Sequence, residues 1–156
     1  FQPGEEGFAG GEKMIQDGMF KDFKIDEVYA LHNWPELPFG TFGVNSGPMM
    51  AAVDEFDILV KGKGGHAAAP HLTIDPVVIS AQVISSVQTI ISRSTNPVDK
   101  ALISITKINA GTAYNVIDNE VKMGGTIRTF KKETRSYIEK DLENFVQELQ
   151  MHMEQK

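Results

Sequence analysis

From Val53 onward, hydrophobic and polar positions follow two clear periods, which predict five elements of secondary structure. Apolar and polar residues alternate between Phe56 and Lys61, as is typical of a strand with one buried face. Two more strands are predicted over residues 101–108 and 121–130, the second with two glycines in its middle. One helical segment separates the first two strands, and another follows the third.

Both segments carry the 3.6-residue period of amphipathic helices. The first begins at Asp75, a capping residue type, with Pro76 at the first helical position, and it ends between residues 93 and 97. The residues of its predicted buried stripe are Val77, Ala81, Ile84, Val87 and Ile91. The second helix spans about 133–151, and the residues that it is predicted to bury are Ile138, Leu142, Phe145 and Leu149.

The first part of the chain has a different composition, which is rich in glycine, proline and aromatic residues. It predicts a short helix over 8–17 and a short strand over 27–31. A cluster of turn-favouring residues at 45–48 marks the predicted boundary between a domain over 1–47 and a second domain over 48–156. The order in the second domain, β-α-β-β-α, is one strand short of the ferredoxin-like split pattern.

Composition narrows the functions open to the chain. Of 156 residues, 41% are hydrophobic and 23% charged, as in an ordinary globular domain, and the formal net charge is −6. Nucleic acid and anionic membranes need a cationic surface, so neither is an expected partner. No apolar run is long enough to cross a bilayer, and the absence of cysteine excludes disulfides. Because the chain starts at Phe1 without a signal-peptide pattern, we expect it to be a piece of a longer protein.

Two candidate sites lie in the first domain. Glu5 and Glu6 are adjacent carboxylates on a glycine-flanked turn, where one can bind a metal ion while the other acts as a general base. Two solvated acids at a helix N-terminus are the alternative. His32 follows the predicted strand, where α/β folds bind ligands, and imidazole is a preferred ligand of zinc-like metals. A hydrogen-bonded packing histidine is the alternative there.

Further candidates lie in the second domain. His66 and His71 belong to the loop GKGGHAAAPH, which lacks the G-x-x-x-x-G-K-[ST] pattern of a phosphate loop. The alanines around His66 leave it open to a substrate or another chain; a flexible surface loop is the alternative. Asn115 and Arg128 lie beside glycines, and an Arg fork with an Asn amide is a natural clamp for a carboxylate. An exposed strand arginine with a capping asparagine is the alternative.

The order of these motifs is more specific than any one of them. FQPGEEG, LHNWPELPFG, GKGGHAAAPHLTIDPV, YNVID and GTIRTF follow one another along the chain. The chain thereby resembles the amidohydrolase branch of the two-metal aminopeptidase-like hydrolases, which includes hippurate hydrolases, N-acyl-amino-acid amidohydrolases and indoleacetyl-amino acid hydrolases. The resemblance implies metal-dependent hydrolysis of the amide bond of an N-acyl amino acid or a related small amide, in a cytoplasmic enzyme.

The resemblance also implies roles for single residues. Glu5 would be the general base that activates the attacking water, whereas Glu6 and His32 would be metal ligands. Two divalent ions are expected in the full-length enzyme, and oxygen and imidazole ligands suit Zn or Mn, and also Co or Ni. His66 would reach into the partner subunit's active site to stabilise the oxyanion.

The same resemblance assigns Asn115 and Arg128 to the carboxylate of the substrate. It further implies a homodimer through the second domain, with the helix over 77–91 and the neighbouring sheet edge close to the contact. Residues 1–47 would be a fragment of a zinc-peptidase-like α/β catalytic domain. Residues 48–156 would be a ferredoxin-like α+β lid that lacks its last strand.

Two departures from the family matter. The family's other metal motifs are absent, so we expect this segment alone to be inactive. Asp118 stands where the family usually has proline, which leaves that loop less rigid. A non-catalytic binding or dimerisation module is the alternative function, and an upstream H-x-D or C-x-H motif with a lone downstream histidine would argue against it. A nucleotide-binding domain is disfavoured by the glycine pattern and the net charge.

Overall fold

The computed structural model of the 156-residue chain describes residues 2–5 and 7–154. They form two compact units that divide between Gly43 and Val44. This division lies close to the turn at residues 45–48, where the sequence predicts a domain boundary. Within the described ranges, no helix is both long and apolar enough to cross a lipid bilayer.

The first unit contains two short helices, α1 (Gly10–Gln16) and α2 (Met19–Asp22). Helix α1 confirms the helix predicted over 8–17. The strand predicted over 27–31 is wrong, because that segment forms no strand and its apolar side chains are exposed, Tyr29 by 84% and Leu31 by 81%. A strand needs a neighbour that pairs with its N–H and C=O groups, and no described segment pairs with this one.

The second unit confirms the predicted order of its main elements and adds a small second sheet. In chain order its elements are β1 (Ala52–Lys61), β2 (Gly65–His66), α3 (Pro76–Thr89), β3 (Ala101–Asn109), β4 (Val116–Ile117), β5 (Glu120–Thr129) and α4 (Lys132–Glu154). The main sheet is antiparallel with the order β1-β5-β3, and β2 pairs with β4. Asp75 caps α3 as predicted, since its Oδ1 accepts a hydrogen bond from the N–H of Val77 at 2.8 Å.

The core of the second unit lies between helices α3 and α4 and one face of the main sheet. The buried hydrophobic residues are Ile58, Val60, Ile79, Val83, Val87, Ile90, Ile103, Val121, Met123, Ile127, Ile138 and Leu142. The alternation predicted for β1 and β5 is confirmed, because every second residue of these strands faces the helices. In α4, the predicted Ile138 and Leu142 are buried, and Phe145 and Leu149 pack against them.

The stripe predicted for α3 is confirmed in its second half, where Val87 is buried and Ile84 and Ile91 pack against the core, and is wrong in its first half. Ile79 and Val83 are buried, whereas Val77 is 44% exposed and Ala81 is also exposed. Of the predicted stripe only Val87 is fully buried, because it belongs to both rows of apolar residues. The helix is apolar on more than one side, so two rows have the helical spacing, and contact with the sheet decides which row is buried.

Two adjacent glycines in β5 shape the two faces of the sheet. A Cβ on Gly125 would lie 2.6 Å from Cζ of Phe56, so the aromatic ring can lie over the strand only because no side chain is present. On the other face, a Cβ on Gly124 would lie 2.8 Å from Oδ1 of Asp57. The face of the sheet away from α3 and α4 is here called the open face. It carries no side chain at Gly124, near its centre.

Strand β1 has an unpaired edge among the described residues. A groove of about 490 Å³ runs between this edge and α4, with Phe56, Ile58, Leu142 and Val146 among its lining residues. This is the fold expected for a ferredoxin-like domain that lacks its last strand.

Two ion pairs fasten the start of α4 to the rest of the unit. Arg135 pairs with Asp54 of β1, and Lys131 pairs with Asp99 in the loop before β3. The second carboxylate oxygen of Asp99 accepts a hydrogen bond from Thr134 Oγ1 at 3.1 Å. These contacts with Lys131 and Thr134 lower the pKa of Asp99.

Replacing Asp99 by Asn should lower the stability of the chain at neutral pH but not in strong acid. Because the pKa of Asp99 is lowered on folding, its carboxylate stabilises the fold fully above the unfolded pKa of about 3.9, and this stabilisation is lost as the pH falls through the lower folded pKa. The melting temperatures of the wild type and Asp99→Asn should converge in acid. The exposed Asp26→Asn serves as the control, and a difference that stays constant down to about pH 2 would contradict the prediction.

Candidate active site

Glu5 lies on a tight turn that the neighbouring glycines make possible. The N–H of Gly7 donates to the carbonyl of Glu5 at 3.1 Å, and Gly4 and Gly7 have φ angles of 56° and 85°, which favour glycine. The turn holds the Glu5 carboxylate in solvent ahead of α1. The predicted metal ligand Glu6 lies outside the described residues.

The backbone around His32 determines which of its ring nitrogens can bind a ligand. Nδ1 lies 2.7 Å from the carbonyl oxygen of Asn33. Because a carbonyl can only accept, Nδ1 carries the proton, and the lone pair of Nε2 is free in an exposed side chain. Metal-binding histidines have this arrangement, in which the far N–H donates to a backbone carbonyl. His32 therefore fits the role of a metal ligand, although no group of three or more His, Cys, Asp or Glu side chains forms a metal cluster within residues 2–5 and 7–154.

The backbone gives His66 the opposite tautomer. Its Nδ1 lies 3.1 Å from the backbone nitrogen of Ala68. An amide N–H can only donate, so Nδ1 accepts and Nε2 carries the proton. The exposed ring of His66 therefore offers an N–H donor where His32 offers a lone pair. A donor of this kind suits an oxyanion.

The small sheet brings two candidate residues together from distant parts of the sequence. His66 pairs with Val116, and the N–H of Ala67 donates to the carbonyl of Asn115 at 2.9 Å. The sequence did not predict this sheet, because strands of two residues are too short to show a period. The backbone consequently holds His66 and Asn115 close to each other.

The glycine-rich loop before His66 is tied down by backbone hydrogen bonds. The N–H of Lys63 donates to Ile74 O at 2.9 Å, and the N–H groups of Gly62 and Gly64 donate to Asn119. These donors are already occupied, whereas a phosphate loop would present them to a ligand. These hydrogen bonds also favour an ordered loop over the alternative of a flexible one.

Arg128 lies on the open face of the main sheet. Its cross-strand neighbours are Val53 of β1 and Leu102 of β3, which are 54% and 45% exposed. Among the described residues Arg128 forms no ion pair, so its guanidinium is available to an anion. The candidate residues thus divide between the units: Glu5 and His32 in the first, and His66, Asn115 and Arg128 in the second.

A family model that matches most of the second unit identifies the family of this chain. The sequence model of the peptidase dimerisation domain matches residues 50–154. This chain belongs to the M20 peptidase dimerisation-domain family. Its membership confirms the resemblance seen in the motifs and the ferredoxin-like fold of residues 50–154.

Known proteins related to this M20 chain are named as deacetylases and amidohydrolases. An N-acetylcysteine deacetylase of Bacillus subtilis (strain 168) is 45% identical over 88% of this chain and 36% of its own length. An N-acyl-L-amino acid amidohydrolase of Geobacillus stearothermophilus is 44% identical over 94% of this chain and 39% of its own length. The M20 chain therefore spans less than half the length of these relatives.

A solved structure supports the same assignment of the M20 chain. The crystal structure of a dinuclear metal-binding peptidase of the M20 family from Bacillus subtilis matches with a TM-score of 0.74. The match covers 98% of this chain and 36% of that protein, at 36% sequence identity.

We expect nitrogen-15 NMR of the isolated chain to find the two histidines in opposite tautomers. Under alkaline conditions, where imidazoles are neutral, His66 should carry its proton on Nε2 and His32 on Nδ1, because each ring is held by a backbone group that permits only one form. His71 is an exposed histidine of the same loop and serves as the comparison. Finding the same tautomer at His32 and His66 would contradict the assignment.

Proposed function

We propose that this chain is part of a metal-dependent hydrolase that cleaves the amide bond of an N-acyl amino acid. The observation that supports this best is that a carbonyl oxygen contacts the His32 ring, whereas a backbone N–H contacts the His66 ring. These contacts leave His32 the open lone pair that a metal ligand needs, and His66 the open N–H that an oxyanion donor needs. The family and the names of its relatives point to the same chemistry. A cytoplasmic location belongs to the same proposal.

In this proposal two divalent metal ions bind in part to Glu6 and His32. When bound, they polarise the amide carbonyl and make water more acidic. Oxygen and imidazole ligands suit Zn or Mn, and also Co or Ni. Since a catalytic zinc needs about three protein ligands, the remaining ligands come from parts of the protein beyond this chain.

Glu5 is the proposed general base. Its carboxylate takes a proton from the attacking water as the new carbon–oxygen bond forms, and it gives the proton to the amide nitrogen as the carbon–nitrogen bond breaks. The acyl group leaves as a carboxylic acid, and the amino acid leaves with a free amine. The glycine-flanked turn fixes the backbone of Glu5 while leaving its carboxylate open to solvent.

The second unit supplies the donors in this proposal. The Nε2–H of His66 meets the oxygen that becomes negative as water adds to the carbonyl, where a single donor is typically worth about 10²- to 10³-fold in rate. The Arg128 guanidinium binds the carboxylate of the amino acid, and the Asn115 amide adds a further hydrogen bond to it. Val53 and Leu102 lie on either side of Arg128 on the open face.

The dimer is proposed to form beside α3 and the free edge of β3. Strand β3 is paired only with β5 among the described residues, and an unpaired edge is a template for another chain. On α3, which contacts β3, Val77 and Val78 are 44% and 49% exposed. Burying these apolar side chains against a second copy would stabilise the dimer.

Replacing Glu5 by Gln in the longer protein should lower kcat by about 10²- to 10⁴-fold, because Gln is nearly the same size but cannot take the proton. The measurement is kcat for the hydrolysis of N-acetyl amino acids and of N-benzoylglycine, with excess Mn²⁺ or Zn²⁺. Glu12→Gln changes an exposed glutamate of α1 and is the matched control, with unchanged kcat. An active Glu5→Gln enzyme would contradict the role of Glu5. A longer protein that is dimeric but inactive with every metal would favour a non-catalytic dimerisation module instead.

Mixing inactive variants should test whether His66 acts in the partner's site, and whether Asn115, which lies close to it in the small sheet, acts there with it. Glu5→Gln and His66→Ala, mixed and allowed to exchange subunits, should regain activity, because one site of each mixed dimer then has an intact Glu5 and an intact His66. Half of the dimers are mixed and half of their sites are complete, so about one quarter of the activity should return.

Two further mixtures serve as controls for the pairing in the small sheet. His66→Ala mixed with Asn115→Ala should stay inactive, because each site receives both residues from one partner. His66→Ala mixed with Arg128→Ala should recover if Arg128 acts in its own subunit. Light scattering establishes the dimer beforehand, and a monomer, or no recovery in the Glu5→Gln mixture, would contradict the role of His66 across the dimer.

A further inference from the structure

Asn119, in the turn between β4 and β5, holds the loop that carries His66 through two hydrogen bonds. Its backbone carbonyl accepts from the N–H of Gly62 at 2.7 Å, and its side-chain Oδ1 accepts from the N–H of Gly64 at 2.9 Å. The side-chain bond joins residues 55 positions apart in the sequence. One asparagine thus binds the chain at two points just before His66.

The glycines of this loop make the close approach to Asn119 possible. A Cβ on Gly64 would lie 2.4 Å from the carbonyl oxygen of Ile117 and 3.1 Å from Oδ1 of Asn119. A Cβ on Gly62 would lie 2.3 Å from the carbonyl oxygen of Ile74. Both positions therefore need glycine because another backbone is close to them.

The loop on the Asn115 side is closed by the residue just before Asn119. The hydroxyl of Thr112 donates to Oδ1 of Asp118 at 3.0 Å and so spans the segment that contains Asn115. Directly after His66, the N–H of Ala67 donates to the carbonyl of Asn115 at 2.9 Å. The loop that carries His66 is therefore bound to the loop that carries Asn115 on both sides of the histidine. Asn119 binds it before His66, and Asn115 binds it after His66.

We propose that Asn119 is a positioning residue that holds the His66 ring at a fixed place relative to Asn115. It acts only through the backbone, because its side chain bonds to Gly64 and neither to His66 nor to Asn115. The catalytic consequence rests on the function proposed above. Without the side-chain bond, the segment from Gly62 to His66 has one tether fewer and samples positions in which Nε2–H misses the oxyanion.

The bond is exposed, so its loss should affect the loop much more than the fold. A purely structural role would lower the stability of the whole unit. A positioning role should raise local exchange and lower kcat more than it changes KM, because misplacing a catalytic group by about 1 Å can cost up to about 10²-fold in rate. These two roles are therefore separable by measurement.

The first test uses hydrogen exchange by NMR on the isolated chain. Asn119→Ala should speed exchange at the Gly64 and Ala67 amides by about tenfold or more, while core strand amides such as that of Met123 keep their protection. Asn119→Asp keeps an oxygen that accepts from the Gly64 N–H, so it should restore the slow exchange of the Gly64 and Ala67 amides. Asn96→Ala is the matched control, since Asn96 Oδ1 likewise accepts from a nearby backbone N–H, that of Val98, at 3.2 Å. Unchanged exchange in Asn119→Ala would overturn the proposal.

The second test uses the longer enzyme. Asn119→Ala should lower kcat by about tenfold with KM changed less than threefold, and Asn119→Asp should restore kcat. Faster exchange with an unchanged kcat would overturn the positioning role. If the unmodified enzyme does not hydrolyse N-acyl amino acids, the proposed function fails, and the exchange measurements still decide whether Asn119 holds the loop.

Discussion

The second unit depends on β5 being paired on both sides. Because β1 and β3 fix its register, its side chains must alternate between the helices and the open face, and a slip by one residue would reverse them all. Val121, Met123 and Ile127 are buried in this register, and Arg128 reaches the open face. Burial of the core therefore also orients the guanidinium that is proposed to bind substrate.

The sequence predicted well those features that depend on neighbouring residues. A strand's face follows from its period and a helix start from its cap, so β1, β5 and the Asp75 cap of α3 agree with the structure. It failed where a second segment decides. The segment over 27–31 has the composition of a strand but no described partner, and α3 has two apolar rows, of which one is buried fully and the other only in part.

The site was predicted by residue type, while its geometry needed the structure. The motifs indicated His32 and His66, but both are exposed, and the sequence around them does not say which ring nitrogen carries the proton. That difference comes from a carbonyl beside one ring and an N–H beside the other. The pairing of His66 with the strand after Asn115 is set by contacts between residues about 50 positions apart, for which short strands leave no pattern.

The loop at Asp118 shows how a departure from a family pattern can be compensated. Proline would restrict the backbone at this position through its ring. Aspartate cannot do so, but its carboxylate accepts a hydrogen bond from Thr112, which closes the same segment through side chains instead. The following residue, Asn119, adds the bonds to Gly62 and Gly64. The segment next to Asn115 is thus closed by polar contacts across the loop, and it does not need a proline at position 118 for that.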